Sequence, residues 1–155
     1  MATYLLAFLI GMVAGLRSMT SPAAVSWAAR LGWLRLENSP VAFLGFAAAP
    51  YILTALAIGE LISDKLPKTP SRKTLVPFAA RIATGALSGA ALGAPDGALV
   101  GGLLAGALGA VAGTLGGYEL RVRMVNATGG KDFPIALLED AIAIGAAFLI
   151  VSRVA

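Results

Sequence analysis

The sequence predicts an all-α protein: a polytopic bundle of about five transmembrane helices that forms a single domain over residues 1–155. Hydrophobic residues make up 58% of the chain and charged residues only 13%, whereas about a quarter of an average soluble domain is charged. The mean hydropathy is +0.85. Several apolar segments are about 20 residues long, the length that a helix needs to cross a hydrocarbon layer about 30 Å thick.

The first apolar segment, from Thr3 to about Leu31, is longer than one straight crossing requires. Its middle contains Gly, Ser and Thr residues before Pro22, which lacks a backbone donor, so we predict a broken or kinked helix near Gly15 to Pro22. The N-terminal N–H groups of the second half-helix would then point into the membrane beside Arg17. Such a helix end is a ready anion site.

Arg17 is the most costly residue of the chain in a membrane, because an arginine near a helix centre costs several kcal/mol unless it is paired or hydrated. Two interpretations follow. Arg17 binds an anionic ligand, or it forms a buried ion pair with a carboxylate such as Glu60 or Glu139.

The second span is predicted to begin near Pro40, to pass a possible kink at Pro50 and to end in the stretch Glu60 to Lys73. Trp27 and Trp33 precede this span and indicate an aromatic belt at the membrane surface. The basic residues that follow it are either a positive-inside signal or a site for lipid phosphate; they are Lys65, Lys68, Arg72 and Lys73.

The third and fourth spans, at about 75–93 and 98–118, carry small residues at four-residue spacing. This spacing predicts helix faces that pack backbone to backbone, either within the bundle or between protomers. The glycines concerned are Gly85, Gly89 and Gly93 on one helix and Gly102, Gly106, Gly109, Gly113 and Gly117 on the other.

The last span is predicted from Pro134 to about Ser152, with Glu139 and Asp140 in its second turn, where acids complement the helix dipole. With five spans, the positive-inside rule places the N-terminus and the basic loops in the cytoplasm and the C-terminus outside. One cytoplasmic layer of charges would then contain Glu60, Asp64, Arg81, Glu119, Glu139 and Asp140.

Composition also excludes several classes of site. The chain contains no Cys and no His, so a thiolate nucleophile, a disulfide, a usual zinc or haem site and a histidine proton shuttle are all ruled out. No cofactor is expected, and a metal would have to be a hard cation bound by oxygen. The net charge of +4 is explained by residues that flank helices, which indicates contact with membrane lipids and not with nucleic acid.

Five stretches resemble the bacterial integral-membrane family called domain of unknown function 4126. They are GLRSMTSPAAVSWAA (Gly15 to Ala29), ELISDKLPKTPSR (Glu60 to Arg72), AARIATGALSGA (Ala79 to Ala90), GAVAGTLGGYELR (Gly109 to Arg121) and ALLEDAIAIG (Ala136 to Gly145). The resemblance implies a small polytopic protein of the bacterial inner membrane and assigns no activity.

Three functions fit the sequence, ranked in the order given. The first is a transporter or channel, as a homodimer or higher oligomer, for a small or anionic solute, with acids that carry protons between helices. The second is a membrane scaffold or lipid-binding protein, and the third is a Mg²⁺-dependent enzyme acting on lipid phosphates. The candidate binding residues are Arg17, Ser18, Thr20, Glu60, Asp64, Lys65, Arg72, Arg81, Arg121, Glu139 and Asp140.

Overall fold

The computed structural model describes residues 2–37, 39–63, 75–130 and 132–154. These ranges form six α-helices and two short 3-10 helices and contain no β-strand, so the predicted all-α class is confirmed. The α-helices are α1 (Ala2–Leu16), α2 (Thr20–Arg30), α3 (Ala49–Ser63), α4 (Leu75–Gly93), α5 (Leu99–Ala127) and α6 (Asp132–Ser152). The 3-10 helices are Ala42–Gly45 and Ala94–Asp96.

Helices α1, α4 and α5 pack backbone to backbone through their glycines. A methyl group added to Gly106 would lie 2.1 Å from the carbonyl oxygen of Gly85, and one added to Gly11 would lie 2.1 Å from that of Gly106. Only hydrogen atoms fit at such distances, so the helices approach more closely than larger residues allow. The predicted glycine packing is therefore confirmed, and it occurs within one chain.

The glycine contacts also fix the direction of these three helices. Helices α1 and α5 run parallel, because their contacting positions rise together in the pairs Tyr4–Gly101, Phe8–Gly109 and Met12–Gly113. Helices α4 and α5 run antiparallel, in the pairs Gly85–Gly106, Gly89–Gly102 and Gly93–Ala98.

Helix α2 turns back instead of continuing α1. Near the end of α1, the Gly15 carbonyl accepts a hydrogen bond from Arg81 Nε at 3.1 Å. Further along α4, the Ser21 and Ser88 hydroxyls are 2.9 Å apart, so α2 runs in the same direction as α4 and opposite to α1. The predicted break is confirmed, but the two halves form a helical hairpin and not a kinked crossing. We call residues 17–19 the hairpin tip.

The remaining helices also alternate in direction along the chain. Trp27 of α2 donates to the hydroxyl of Thr54 (2.8 Å), while Glu60 contacts the hairpin tip, so α3 is antiparallel to α2. Helix α6 contacts the tip through Asp140 and then runs beside α2. We call the end of the bundle at the tip the charged end; at the opposite end, the hydroxyl of Thr3 donates to Asp96.

The outer surface of the bundle is strongly apolar. Large hydrophobic side chains are exposed along α3, α5 and α6, among them Tyr51 (65%), Leu108 (65%) and Phe148 (61%). Soluble monomers rarely expose contiguous apolar patches on this scale. By length and composition, two of the described helices could cross a membrane, at Leu99–Ala127 and Pro134–Ser152, while Ala2–Leu16 and Ala49–Ile62 are shorter apolar helices.

Several predicted boundaries need correction. In the segment that begins near Pro40, helix α3 starts only at Ala49. Pro50 therefore lies in the first turn of α3, where a backbone N–H would have no hydrogen-bond partner within the helix, so Pro50 does not kink it. Helix α5 continues to Ala127 instead of ending near Tyr118. Helix α6 begins two residues before Pro134, which moves Glu139 beyond the second turn.

Candidate functional site

The hairpin tip places two helix ends inside the bundle. At the end of α1, the Arg17 N–H donates to the Val13 carbonyl (2.8 Å). At the start of α2, the Ala23 N–H donates to the Met19 carbonyl (3.1 Å). Helix ends leave N–H groups of the first turn and C=O groups of the last turn without helical partners. In the interior these groups need other partners, because burying an unpaired polar group costs free energy.

The carboxylate of Glu60 binds the N-terminal side of α2. One oxygen accepts from the backbone N–H of Ser18 (2.9 Å) and from its hydroxyl (2.7 Å), and the other accepts from the N–H of Met19 (2.9 Å). A negative charge is favourable here, since the helix dipole places positive potential at this end. A side chain of the protein, Glu60, therefore occupies the N–H groups that the sequence predicted as an anion site.

Two arginines and one hydroxyl bind the C-terminal end of α1. The Gly15 carbonyl accepts from Arg81 Nε (3.1 Å) and from the hydroxyl of Thr114 (3.4 Å). The Leu16 carbonyl accepts from Nη1 of Arg17 (2.9 Å). Cations stabilise a helix C-terminus, so the two ends that meet at the tip are matched by charges of opposite sign.

Arg17 is fully buried and forms ion pairs with α6. Its Nε lies 2.6 Å from Asp140 Oδ1, and its Nη1 lies 3.1 Å from Glu139 Oε1. The other oxygen of Glu139 lies 3.7 Å from Nη1 of Arg121 on α5. Glu139 therefore bridges two arginines on two elements. The interpretation of these acids as partners of the α6 dipole is replaced by one in which they pair with Arg17 and Arg121.

Among the described residues, the cluster contains equal numbers of arginines and acids. Three arginines and three acids meet at the hairpin tip: Arg17, Arg81 and Arg121 with Glu60, Glu139 and Asp140. A crevice of about 70 Å³ between α5 and α6 is lined by both Arg121 and Glu139. Its other lining residues are apolar, among them Leu120 and Ile142.

The sequence predicted most of this cluster. Of the candidate residues, the structure brings together Arg17, Ser18, Glu60, Arg81, Arg121, Glu139 and Asp140. Thr20 is buried as the first residue of α2 and faces a separate apolar cavity. Glu119, expected in the charge layer, is exposed. Asp64, Lys65 and Arg72 lie outside the described residues, as do Lys68 and Lys73.

Two contributions were not found from the sequence. They are the fully buried hydroxyls of Thr114 and Ser88, which lie on the glycine-rich helices. A polar residue inside a glycine-spaced segment, as in ALSGA around Ser88, is the signal that could have identified the two hydroxyls. Among the described residues, no group of three or more acidic side chains is placed to hold a metal ion.

The fold and the site define a class: an all-helical bundle with an apolar exterior, an interior charge cluster and two helices long and apolar enough to cross a membrane. The chain belongs to the family described as Domain of unknown function (DUF4126), which matches residues 4–153. No curated protein and no solved structure matches the chain.

Proposed function

We propose that this protein is an integral membrane transporter or channel for a small anionic solute, and that the hairpin tip binds the solute. The observation that carries the proposal is the carboxylate of Glu60 on the N–H groups of Ser18 and Met19. These donors bind a carboxylate well, and a solute that carries a carboxylate or phosphate presents the same oxygen acceptors. In this proposal Glu60 is a tethered anion that the solute replaces.

The proposed membrane arrangement follows from the alternation of helix directions. With six elements, α1 and α6 have their free ends on the same side, opposite to the charged end. The positive-inside rule places the charged end in the cytoplasm, because Arg121 and Arg123 lie near it and the sequence between the end of α3 and the start of α4 contains Lys65, Lys68, Arg72 and Lys73. Both chain ends are then outside, in contrast to the cytoplasmic N-terminus expected from five spans.

The lengths of the hairpin helices favour a re-entrant element. Helix α1 has 15 residues and α2 has 11, so they are about 22 Å and 16 Å long against a hydrocarbon core of about 30 Å. Entering from the outside, the hairpin ends before the cytoplasmic surface. Non-helical backbone at membrane depth is tolerated where protein buries it or where it lines a cavity, and the buried tip meets this condition.

Protonation of Glu60 supplies a coupling step. Charge-assisted hydrogen bonds are about twice as strong as neutral ones, so a neutral Glu60 holds Ser18 and Met19 less firmly. Helix α3 packs mainly against α2 and the 3-10 helix at Ala42–Gly45, which leaves it less constrained than α1, α4 and α5. Release of Glu60 would open the N–H groups to a solute anion.

The test measures the efflux of anions from lipid vesicles that contain the purified protein and are loaded with chloride, acetate or phosphate. We expect saturable flux of at least one anion, accelerated severalfold by a pH gradient. In Glu60→Gln the flux should persist without a response to the gradient, and Glu119→Gln, which removes an exposed acid from α5, should behave as the wild type. Wild-type vesicles that retain all three anions as long as protein-free vesicles do would overturn the proposal.

The ion pairs that join Arg17 and Arg121 to α6 favour a second candidate, a membrane scaffold in which the charges only fix the hairpin. In that case Glu60→Gln would lower stability, and neither variant nor wild type would move an anion. The predicted homo-oligomer would then rest on the exposed apolar faces, since the glycine faces described above are occupied within the chain.

A further inference from the structure

We infer that an apolar cavity between α2, α3 and α6 binds one acyl chain of a membrane phospholipid. The cavity has a volume of about 410 Å³ and is separate from the ion pairs of Arg17. Its floor is formed by small residues of α2, including Ala24, and its walls by Ala57 of α3 and Phe148 of α6. No charged side chain lines it, so it suits an apolar ligand.

The dimensions of the cavity select a single hydrocarbon chain. The cavity is lined by α2 from Thr20 to Leu31, a length of about 16 Å. A volume of about 410 Å³ over that length corresponds to a channel about 6 Å wide. Carbon atoms pack about 4 Å apart, so one alkyl chain fits. A helix from a second copy of the chain is about 10 Å wide and cannot enter the cavity to its full depth.

The small residues keep the cavity open, and a fixed aromatic wall shapes it. The indole N–H of Trp27 donates to the Thr54 hydroxyl (2.8 Å), and its ring contacts Tyr51 edge to face with centroids 5.2 Å apart. Because these contacts hold Trp27 in place, it does not collapse into the space beside Ala24 and Ala57. Leaving the space empty would cost packing free energy, which a bound chain recovers.

The end of the cavity at Leu31 and Trp33 suits the head group. Arg30, the last residue of α2, is exposed at this end, and Trp33 is half-buried there. Tryptophan favours the membrane interface, and arginine binds phosphate through paired N–H groups. The phosphate of the lipid is therefore placed at Arg30, with the acyl chain running along α2 toward Thr20.

The chain contains two tryptophans, Trp27 and Trp33, and both line the cavity, so their fluorescence reports its occupancy. The experiment titrates detergent-solubilised protein with phosphatidylglycerol that carries a dibrominated acyl chain, which quenches indole fluorescence on contact. Ala57→Phe fills the cavity from α3. Ala55→Phe is the matched control, since Ala55 lies on the same helix, is exposed and does not line the cavity.

We expect saturable quenching with one lipid per chain in the wild type and in Ala55→Phe, and a half-saturating concentration at least about tenfold higher in Ala57→Phe. Ala24→Leu, a smaller change on the cavity floor, should give the same loss if Ala57→Phe does not fold. Equal, non-saturating quenching in all variants would identify ordinary solvation by detergent and lipid and would overturn the inference. So would a wild-type dimer that becomes monomeric in Ala57→Phe, since a second copy would then occupy the cavity.

Discussion

Glu60 accepts hydrogen bonds from both the backbone N–H and the hydroxyl of Ser18, at 2.9 and 2.7 Å, and so joins α3 to the hairpin tip. The two residues are 42 positions apart in the chain. Among the described residues, α3 packs mainly against α2 and the 3-10 helix at Ala42–Gly45, so this contact helps to determine where the end of α3 near the tip lies. Opening or closing the contact is therefore the simplest movement by which the bundle could expose the tip.

Glu60→Gln should lower the free energy of unfolding by about 1–3 kcal/mol, because the amide keeps an acceptor but loses the charge that strengthens these hydrogen bonds. The measurement is thermal or denaturant unfolding in detergent. Glu119→Gln is the matched control and should change stability by less than about 0.5 kcal/mol. Equal stability of the two variants would show that Glu60 does not hold the tip.

Arg17→Met should be the most destabilising single change at the site, at about 3–5 kcal/mol, because it removes the buried cation that Glu139 and Asp140 both contact. Adding Glu139→Gln and Asp140→Asn to the same chain should restore part of that loss, since the two carboxylates that faced Arg17 are then neutral, although Glu139→Gln also removes the ion pair with Arg121. Unfolding of the single, double and triple variants measures this coupling. Purely additive losses would show that the three side chains act independently.

The sequence predicted the ion pair but only part of its geometry. The cost of an arginine in an apolar segment requires a carboxylate partner, and Glu139 was one of two proposed; Asp140 also pairs with Arg17. Glu60, the other, binds backbone N–H groups instead. The predicted helix break did indicate free backbone N–H groups beside Arg17, but charge matching alone could not show which of the two carboxylates binds them.

The direction of the hairpin could not be predicted for a similar reason. Gly15 and Pro22 signal a break, yet a kinked crossing and a reversal satisfy the same local rules. The choice is made by distant contacts: α1 lies against the glycines of α5, and Ser21 of α2 lies against Ser88 of α4. The glycine spacing predicted close packing correctly, but it did not show that α1 is the third helix of that packing.

Gly106→Ala should destabilise the bundle by about 1–3 kcal/mol or more, because the new methyl group would lie 2.1 Å from the backbone oxygen of Gly85. Gly116→Ala on the same helix meets nothing within 4 Å and should stabilise by up to about 1 kcal/mol through helix propensity. Unfolding of both variants under one condition tests the packing. If the Gly106→Ala protein were as stable as the Gly116→Ala protein, α4 and α5 would have to lie further apart than the contact between Gly106 and Gly85 indicates.

The proposed six-element topology differs from five spans in the side on which the N-terminus lies. The chain has no cysteine, so single cysteines can be labelled without background. Ala2→Cys and Val154→Cys should both react with a membrane-impermeant maleimide added outside intact cells, while Thr128→Cys at the charged end should react only after the membrane is opened. In a five-span arrangement the first segment crosses the membrane once, whereas a hairpin of antiparallel halves returns to the side on which it began. Ala2→Cys would then lie on the same side as Thr128→Cys and would react only after the membrane is opened. The labelling of Ala2→Cys therefore tests whether the reversal at Arg17 exists in the membrane.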